Sequence, residues 1–120
     1  MEIDQIPTVI RKFIDASNKP DPEAFVNCFS EDAVVLDEGK ERIGQNSIKA
    51  WSDQYHFGAN VTLEPKAVKE KKDEVVVTCK LDGTYDKTGL PDPLLLEYRF
   101  SIADDKIVSL SIFLSDHKRD

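Results

Sequence analysis

Apolar residues in the first part of the chain recur every three or four positions, which is the spacing of helices that bury one face. We expect a first helix from near Asp4, with Pro7 tolerated in its first turn because an N–H there has no helical partner. After a break at 18–22, Asp21 is placed to cap a second, short helix with Pro22 at its first position. The apolar faces of the two helices comprise Ile6, Val9, Ile10, Phe13 and Ile14, then Phe25, Cys28 and Phe29.

A short strand and a third helix follow in the same half of the chain. The pattern predicts a strand from Ala33 to Leu36 and then a charged hairpin or loop, "DEGKERIG", that leads to Gly44. The third helix has Asn46 or Ser47 as its cap. Its predicted apolar face is Ile48, Trp51 and Tyr55, and Gly58 ends it.

The second half changes to the alternating pattern of strands. The predicted strands are Val61 to Lys69, Val75 to Tyr85, Leu94 to Ala103 and Lys106 to Leu114. On the second strand, one face carries Val75, Val77, Cys79, Leu81 and Tyr85. Helices first and long strands afterwards indicate an α+β domain over residues 1–120, with three N-terminal helices packed on a curved, mostly antiparallel sheet.

Composition narrows the classes of partner. The chain has a net charge of -7 and 40% apolar residues, which is ordinary for a globular protein and unfavourable for binding phosphate backbones. We therefore expect no nucleic-acid partner. The sequence has no long apolar run and an acidic N-terminus without a leader pattern, so we expect a cytoplasmic protein with no membrane partner. Cys28 and Cys79 lack CxxC spacing and are expected to be reduced, packed thiols.

Three segments, read in order, resemble the nuclear-transport-factor-two superfamily and, within it, the SnoaL-like and ketosteroid-isomerase-like small proteins. They are "VIRKFIDASNKPDPEAFVNCFSEDAVVLDEG", "RIGQNSIKAWSDQ" and "DDKIVSLSIF". The resemblance covers most of the chain, from Ile6 to Leu114. Each motif alone is degenerate, and the strength of the resemblance lies in their order and separation.

The resemblance implies a cone-shaped α+β barrel around a mostly apolar cavity, with homodimers formed through the outer face of the sheet. Such proteins include isomerases, cyclases, dehydratases, epoxide hydrolases and noncatalytic binding modules, so the fold alone does not choose a function. We expect a small hydrophobic or partly oxygenated molecule as ligand, and no cofactor.

The same resemblance places the catalytic base of the isomerase-like members at Asp37. A carboxylate on an apolar cavity wall loses hydration and becomes a better base, but Asp37 is also a favoured residue at the start of a turn. The tyrosine of the family's first helix aligns with Phe13, which lacks a hydroxyl. Ungapped counting puts Glu97 at the second donor position, whereas strand alternation turns Glu97 outward and Tyr98 inward. Tyr98 and Tyr85 are therefore the expected hydroxyl donors, or else core aromatics.

Aromatic residues on the helical faces serve first as core and second as pocket lining. The expected pocket residues are Phe13, Phe29, Val35, Trp51, Tyr55, His56, Leu110 and Ile112. His56 lies near the end of the third helix, where it either complements the helix dipole at the surface or acts as an acid or base at a cavity mouth. His117 lies in the charged tail and is expected to be exposed. The two histidines and scattered acids match no metal-ligand spacing, so we expect no metal.

Two functions remain open on the sequence. The first is a cofactor-independent isomerase or cyclase type of proton transfer, with Asp37 as the base and Tyr98 or Tyr85 polarising a carbonyl. The second is a noncatalytic module that binds a ligand or a protein and uses the sheet face for dimerisation. Phe13 favours the second.

Overall fold

The structure of the protein, a computed structural model, describes residues 2–115, so the expectation for His117 lies outside it. A short 3-10 turn, Ile3–Gln5, precedes the helices α1 (Thr8–Asn18), α2 (Pro22–Asn27) and α3 (Gln45–Trp51), and α3 continues into a π-helical segment, Ser52–Phe57. The strands are β1 (Phe29–Asp37), β2 (Lys40–Ile43), β3 (Thr62–Lys71), β4 (Glu74–Asp82), β5 (Leu94–Ala103) and β6 (Lys106–Leu114).

The helices pack on a six-stranded mixed sheet with the strand order β2-β1-β6-β5-β4-β3. β1 runs parallel to β6, and the other neighbouring pairs are antiparallel. β2 and β3 remain edge strands, so the sheet is curved but not closed. The predicted α+β class, with three helices on a mostly antiparallel sheet, is confirmed.

Several element boundaries differ from the sequence prediction, each for a local reason. Pro7 is the N-cap of α1, so the helix begins at Thr8 and the residues before it form a separate turn. The second helix ends at Asn27, and Phe29 pairs with Ile107 as the first residue of β1. The predicted cap of α2 is confirmed, since Asp21 Oδ1 accepts a hydrogen bond from the Ala24 N–H at 3.2 Å.

The π-helical segment changes which side chains the third helix buries. A π-helix has more residues per turn than an α-helix, so the buried face of α3 passes from Trp51 to Ser52 and His56. Tyr55, which the helical spacing placed on the buried face, is 48% exposed. That part of the prediction is wrong because a helical period of 3.6 does not hold beyond Trp51.

The core lies between the helices and the inner face of the sheet. Phe13 is at its centre and contacts five neighbouring rings: Phe25, Phe29, His56, Tyr98 and Phe100. These contacts fill the closed end of the fold. The inner face beyond Tyr98 is covered less completely, and this is where the cavity lies.

Candidate functional site

A cavity of about 670 Å³ opens at the end of the sheet where β1 and β6 finish and β5 begins. That volume suits a small organic molecule. β1, the π-helical segment, the loop 83–93, β5 and β6 all contribute to its walls. The walls are mainly apolar and comprise Leu36, Leu81, Leu90, Leu94, Leu96 and Ile112, with Val61, Ala59, Phe113 and Leu114.

Asp37 is held at the cavity wall by a tight hairpin. It is the last residue of β1 and pairs with Lys40 across a two-residue turn. Both turn residues, Glu38 and Gly39, have positive φ angles of 53° and 76°. A turn of this kind matches the twist of the strands it joins, so it fixes the direction of the preceding side chain. Asp37 therefore starts a turn and also faces the cavity.

Trp51 orients the Asp37 carboxylate. The indole Nε1–H donates a hydrogen bond to Asp37 Oδ2 at 3.1 Å. Within residues 2–115, Oδ1 has no hydrogen-bond partner, so one carboxylate oxygen is left to meet a ligand. Arg42 reinforces the backbone here, because its Nη1 donates to the Asp37 carbonyl at 3.0 Å.

Tyr98 lies on the same inner face of the sheet as Asp37. Asp37 pairs with Ile112, and Ile112 pairs with Tyr98, which places the three residues in one row across β1, β6 and β5. Two strand spacings separate Asp37 from Tyr98, about 10 Å between their Cα atoms. A ligand above Ile112 can therefore contact both side chains.

The Tyr98 hydroxyl is buried but open to the cavity. The side chain is 2% exposed, yet its hydroxyl has no hydrogen-bond partner in the described part of the chain. Within residues 2–115, Arg99 Nε is the one side-chain polar atom that is both fully buried and unpaired. The Tyr98 hydroxyl is unpaired as well, so it cannot be fully buried and keeps some accessible surface. Burial, together with the nearby Asp37 charge, raises the pKa of Tyr98 well above its usual value. Tyr98 is therefore a neutral hydrogen-bond donor at physiological pH.

Of the other two candidate residues, Tyr85 lines the cavity and Glu97 does not. β4 ends at Asp82, so Tyr85 lies in the following loop and not on the strand that the alternation predicted. Its ring lines the cavity, and its hydroxyl donates to the Leu81 carbonyl at 3.4 Å. Glu97 pairs with Arg99 at 3.1 Å and does not line the cavity, so the alternation on β5 is correct where ungapped counting is not.

His56 is a buried residue of the cavity wall. It is 3% exposed, and burial lowers its pKa to about 4, so it is neutral at pH 7 and cannot complement a helix dipole as a cation. The surface interpretation of His56 is wrong because the π-helical segment turns the residue inward. Its Nε2 lies 2.8 Å from the Ser17 hydroxyl of α1.

The predicted pocket residues divide into two groups. Trp51, Tyr55, His56 and Ile112 line the cavity, as do the catalytic candidates Asp37, Tyr98 and Tyr85. Four predicted pocket residues instead have no exposed surface and belong to the closed core: Phe13, Phe29, Val35 and Leu110. They lie too deep because the aromatic cluster around Phe13 fills the closed end of the cone. The chemical roles of the lining residues stay predictions.

Sequence reasoning missed several residues of the site. Leu96 faces the cavity, as the alternation on β5 allows, but Gln54 and Leu90 lie on segments without a regular pattern. Ser17 had a readable signal, since it is a polar residue four positions after Phe13 on the buried face of α1. The contact between Trp51 and Asp37 had a weaker sequence signal: a buried indole N–H usually has a hydrogen-bond partner, but the sequence does not say which.

The described residues contain no group of three or more His, Cys, Asp or Glu side chains placed to hold a metal ion. Cys28 and Cys79 are free and buried. Burial raises the pKa of both thiols, that of Cys79 to about 12, so neither is a reactive thiolate at neutral pH.

Within residues 2–115, no helix is both long enough and apolar enough to span a bilayer.

The fold agrees with a family comparison. Residues 10–110 match the model of the SnoaL-like domain, and the chain belongs to that family. Membership supports a general role as an isomerase or cyclase type of enzyme or as a ligand-binding protein. A comparison with curated proteins gives no match.

Solved structures share the fold. A Sinorhizobium meliloti protein, provisionally described as a polyketide cyclase, is 28% identical, with a TM-score of 0.82 over 93% of this chain and 99% of that one. SalBIII, an epoxide hydrolase/cyclase-like enzyme of pyran ring formation in salinomycin, is 22% identical with a TM-score of 0.74 over 96% and 95%. A Catenulispora acidiphila protein with a ketosteroid isomerase-like fold, solved with trimethylamine, is 19% identical with a TM-score of 0.74 over 91% and 86%.

Proposed function

We propose that the cavity binds a small, mostly apolar carbonyl compound and catalyses a cofactor-independent proton transfer. The observation that carries this proposal is one pair of side chains. Asp37 presents a carboxylate oxygen without a partner in residues 2–115, and Tyr98 presents a buried hydroxyl without one, on the same apolar wall. A base and a neutral hydrogen-bond donor on one wall are what enolisation requires.

The step begins when the Asp37 carboxylate removes a proton from the carbon next to the carbonyl. The C–H electron pair forms the C=C bond of an enolate, and the carbonyl π pair moves to oxygen. Tyr98 donates a hydrogen bond to that oxygen and keeps its proton, since its pKa is raised. If the ketone carries a β,γ double bond, the protonated Asp37 returns the proton to the γ-carbon, the C=C bond moves next to the carbonyl and the oxygen pair re-forms the C=O bond. In a ring closure, the enolate carbon attacks a second carbonyl carbon, the π pair of that carbonyl moves to its oxygen, and Asp37 gives its proton to that oxygen.

The relatives favour chemistry of this class. The Sinorhizobium meliloti protein is described as a cyclase, and SalBIII acts in ring formation. In this chain Asp37 is the base that we propose for chemistry of that class.

A noncatalytic binding module is the second candidate. Phe13, fully buried in the core, supplies no hydroxyl, so Tyr98 has no partner donor from α1. The Catenulispora acidiphila relative was solved with a small bound molecule, trimethylamine. Under this alternative the cavity binds its ligand and releases it unchanged.

Ligand binding in the cavity can be measured with the fluorescence of Trp51, the single tryptophan of the chain. A panel of fused-ring ketones is titrated against the wild type, Leu96→Phe and Leu95→Phe. Leu96 lines the cavity, whereas its neighbour Leu95 does not, so the two variants add the same group on opposite faces of β5. We expect binding to weaken about tenfold or more in Leu96→Phe and to stay unchanged in Leu95→Phe. No binding by the wild type, or equal binding by both variants, contradicts a ligand site here.

We further propose that the protein is a cytoplasmic homodimer that pairs through the outer face of the sheet. Val76 points to that face and yet is 7% exposed. Beside it, Arg99 packs its guanidinium over the Phe113 ring at 5.0 Å, and its Nε is buried without a partner among residues 2–115. The 43% exposed Phe113, next to the ion pair of Arg99 and Glu97, suits a contact with a second copy. The free, buried thiols suit a reducing compartment.

A further inference from the structure

His56 has a defined tautomer because Ser17 has only one proton to donate. The Ser17 hydroxyl donates that proton to the Phe13 carbonyl, with an oxygen–oxygen distance of 2.9 Å. The contact of 2.8 Å between Ser17 Oγ and His56 Nε2 must then be a hydrogen bond in which Nε2–H donates and Ser17 accepts. The proton of the neutral imidazole is therefore on Nε2, and Nδ1 carries a lone pair.

The lone pair of Nδ1 faces open space in the cavity wall. Nδ1 has no hydrogen-bond partner in the described part of the chain. It is not fully buried either, so it keeps some accessible surface. His56 lines the cavity, so the surface that Nδ1 keeps belongs to the cavity. Burial holds the pKa of His56 at about 4, so Nδ1 is an acceptor at neutral pH.

The ring cannot turn this lone pair away at low cost. Its centroid lies 4.8 Å from that of Phe25, 5.1 Å from that of Phe57 and 6.0 Å from that of Trp51. A flip would also break the hydrogen bond to Ser17 in an apolar surrounding, where an unpaired polar group is costly. His56 is thus a preorganised acceptor at a fixed place.

The charges around the cavity add a second constraint on the ligand. Among the described residues that line it, the charged ones are all acidic: Asp37, Glu38 and Asp86. An anionic ligand would meet like charges in a mostly apolar cavity, which is unfavourable. A donor group on the ligand, in contrast, would pair with an otherwise unsatisfied nitrogen.

We propose that His56 selects the ligand, which is an uncharged molecule carrying a hydroxyl or N–H donor for Nδ1 in addition to the carbonyl that faces Tyr98. This inference rests on the proposed function, because it concerns the same cavity. His56 is a specificity-determining residue in this account, and it takes no proton during the reaction. Hydroxyketones therefore bind in preference to ketones of the same shape without a donor.

The test compares a hydroxytetralone with its methyl ether, at a pH below that at which the phenol ionises. The ether keeps the ring, the carbonyl and the acceptor oxygen and carries a methyl group in place of the donor hydrogen. We expect calorimetry to give roughly tenfold tighter binding of the hydroxyl compound to the wild type, the value of one hydrogen bond to a preorganised group. His56→Phe keeps an aromatic ring and should bind both compounds equally.

A second variant covers failure of His56→Phe to fold. Ser17→Ala removes the acceptor that fixes the tautomer and leaves the cavity wall intact, so the preference should fall about threefold. Proton–nitrogen correlation NMR of the free protein should show the Nε2–H tautomer, and the Nδ1 resonance should move when the hydroxytetralone binds. Equal wild-type affinity for the two probes, or an Nδ1–H tautomer, overturns the role of His56. Binding of neither probe overturns the proposed function itself.

Discussion

At the scale of single residues, the site depends on hydrogen bonds between side chains that are distant in sequence. Trp51 donates to Asp37, and His56 donates to Ser17, each in a setting largely shielded from water. Shielding strengthens a hydrogen bond and also makes an unpaired partner costly. Each of these contacts should therefore make a measurable contribution to the free energy of unfolding.

The contact between Trp51 and Asp37 can be isolated by a double-mutant cycle of Trp51→Phe and Asp37→Ala. We expect a coupling free energy of about 1.5 kcal/mol, because one partner is charged and the contact is partly buried. Urea unfolding followed by circular dichroism gives the four stabilities. A coupling near zero would show that the indole N–H does not hold the carboxylate.

His56 makes stability depend on pH. Its pKa is about 4 in the folded protein against an ordinary value of 6.5, and burial among aromatic rings is the cause. Between about pH 6.5 and 4, His56 therefore binds a proton in the unfolded chain and not in the folded one. Stability from this residue is complete above about pH 6.5 and is lost as pH falls towards 4, by up to roughly 3 kcal/mol.

The measurement is the free energy of unfolding of wild type and His56→Phe between pH 7 and 5. The wild type should lose more stability over this range than the variant, in which the group that titrates is gone. His117→Gln is the matched control, since it removes the only other histidine. Parallel curves for wild type and His56→Phe would contradict the burial of a neutral imidazole.

At the scale of elements, the β1–β2 hairpin and the π-helical segment position the site. The hairpin directs Asp37, and its turn requires a residue that tolerates a φ of 76° at Gly39. The π-helical segment directs His56 and Gln54 into the wall. The π-helical segment is irregular, and such segments are frequent at functional sites.

The turn itself can be tested at Gly39. A Cβ built there meets nothing within 4 Å, so Gly39→Ala should be destabilised only through its left-handed backbone, by about 1 kcal/mol. Gly39→Asn is the control, since asparagine tolerates this conformation better and should lose less. Equal losses in thermal unfolding would mean that the turn is not held in this conformation.

The sequence was informative where structure follows a local period. β5 and β6 have the predicted bounds, and alternation on β5 turned Tyr98 inward and Glu97 outward, as observed. Tyr55 is exposed where a buried residue was predicted, and His56 is buried, because no apolar spacing signals a π-helix. The bond from Trp51 to Asp37 joins residues on separate elements, so only the tertiary fold brings them together.

At the scale of the whole molecule, the open sheet has two faces, and we propose a different role for each. The inner face packs on the helices and leaves the cavity, whereas the outer face carries the exposed Phe113 ring under the Arg99 guanidinium, beside the buried Val76. Phe113 belongs to the proposed interface and also lines the cavity, so a dimer would bring the two regions together at that residue. Binding and assembly are therefore tested with separate variants.

We expect light scattering to give about twice the chain mass of 13.6 kDa for the wild type. Ser111→Arg places a bulky cation beside Arg99 on the outer face and should shift the protein to the monomer. Lys71→Glu, at the far end of β3, is the control and should stay dimeric. A wild-type monomer at micromolar concentration would contradict the proposed interface.

Solvent deuterium exchange tests the catalytic claim most directly, because it needs no knowledge of the natural substrate. A tetralone is incubated with the protein in deuterium oxide, and NMR follows the loss of the protons next to the carbonyl. The account predicts exchange well above the buffer rate, abolished in Asp37→Asn and about a hundredfold slower in Tyr98→Phe. Bound tetralone that exchanges no faster with wild type than with Asp37→Asn would contradict proton transfer and leave a binding protein.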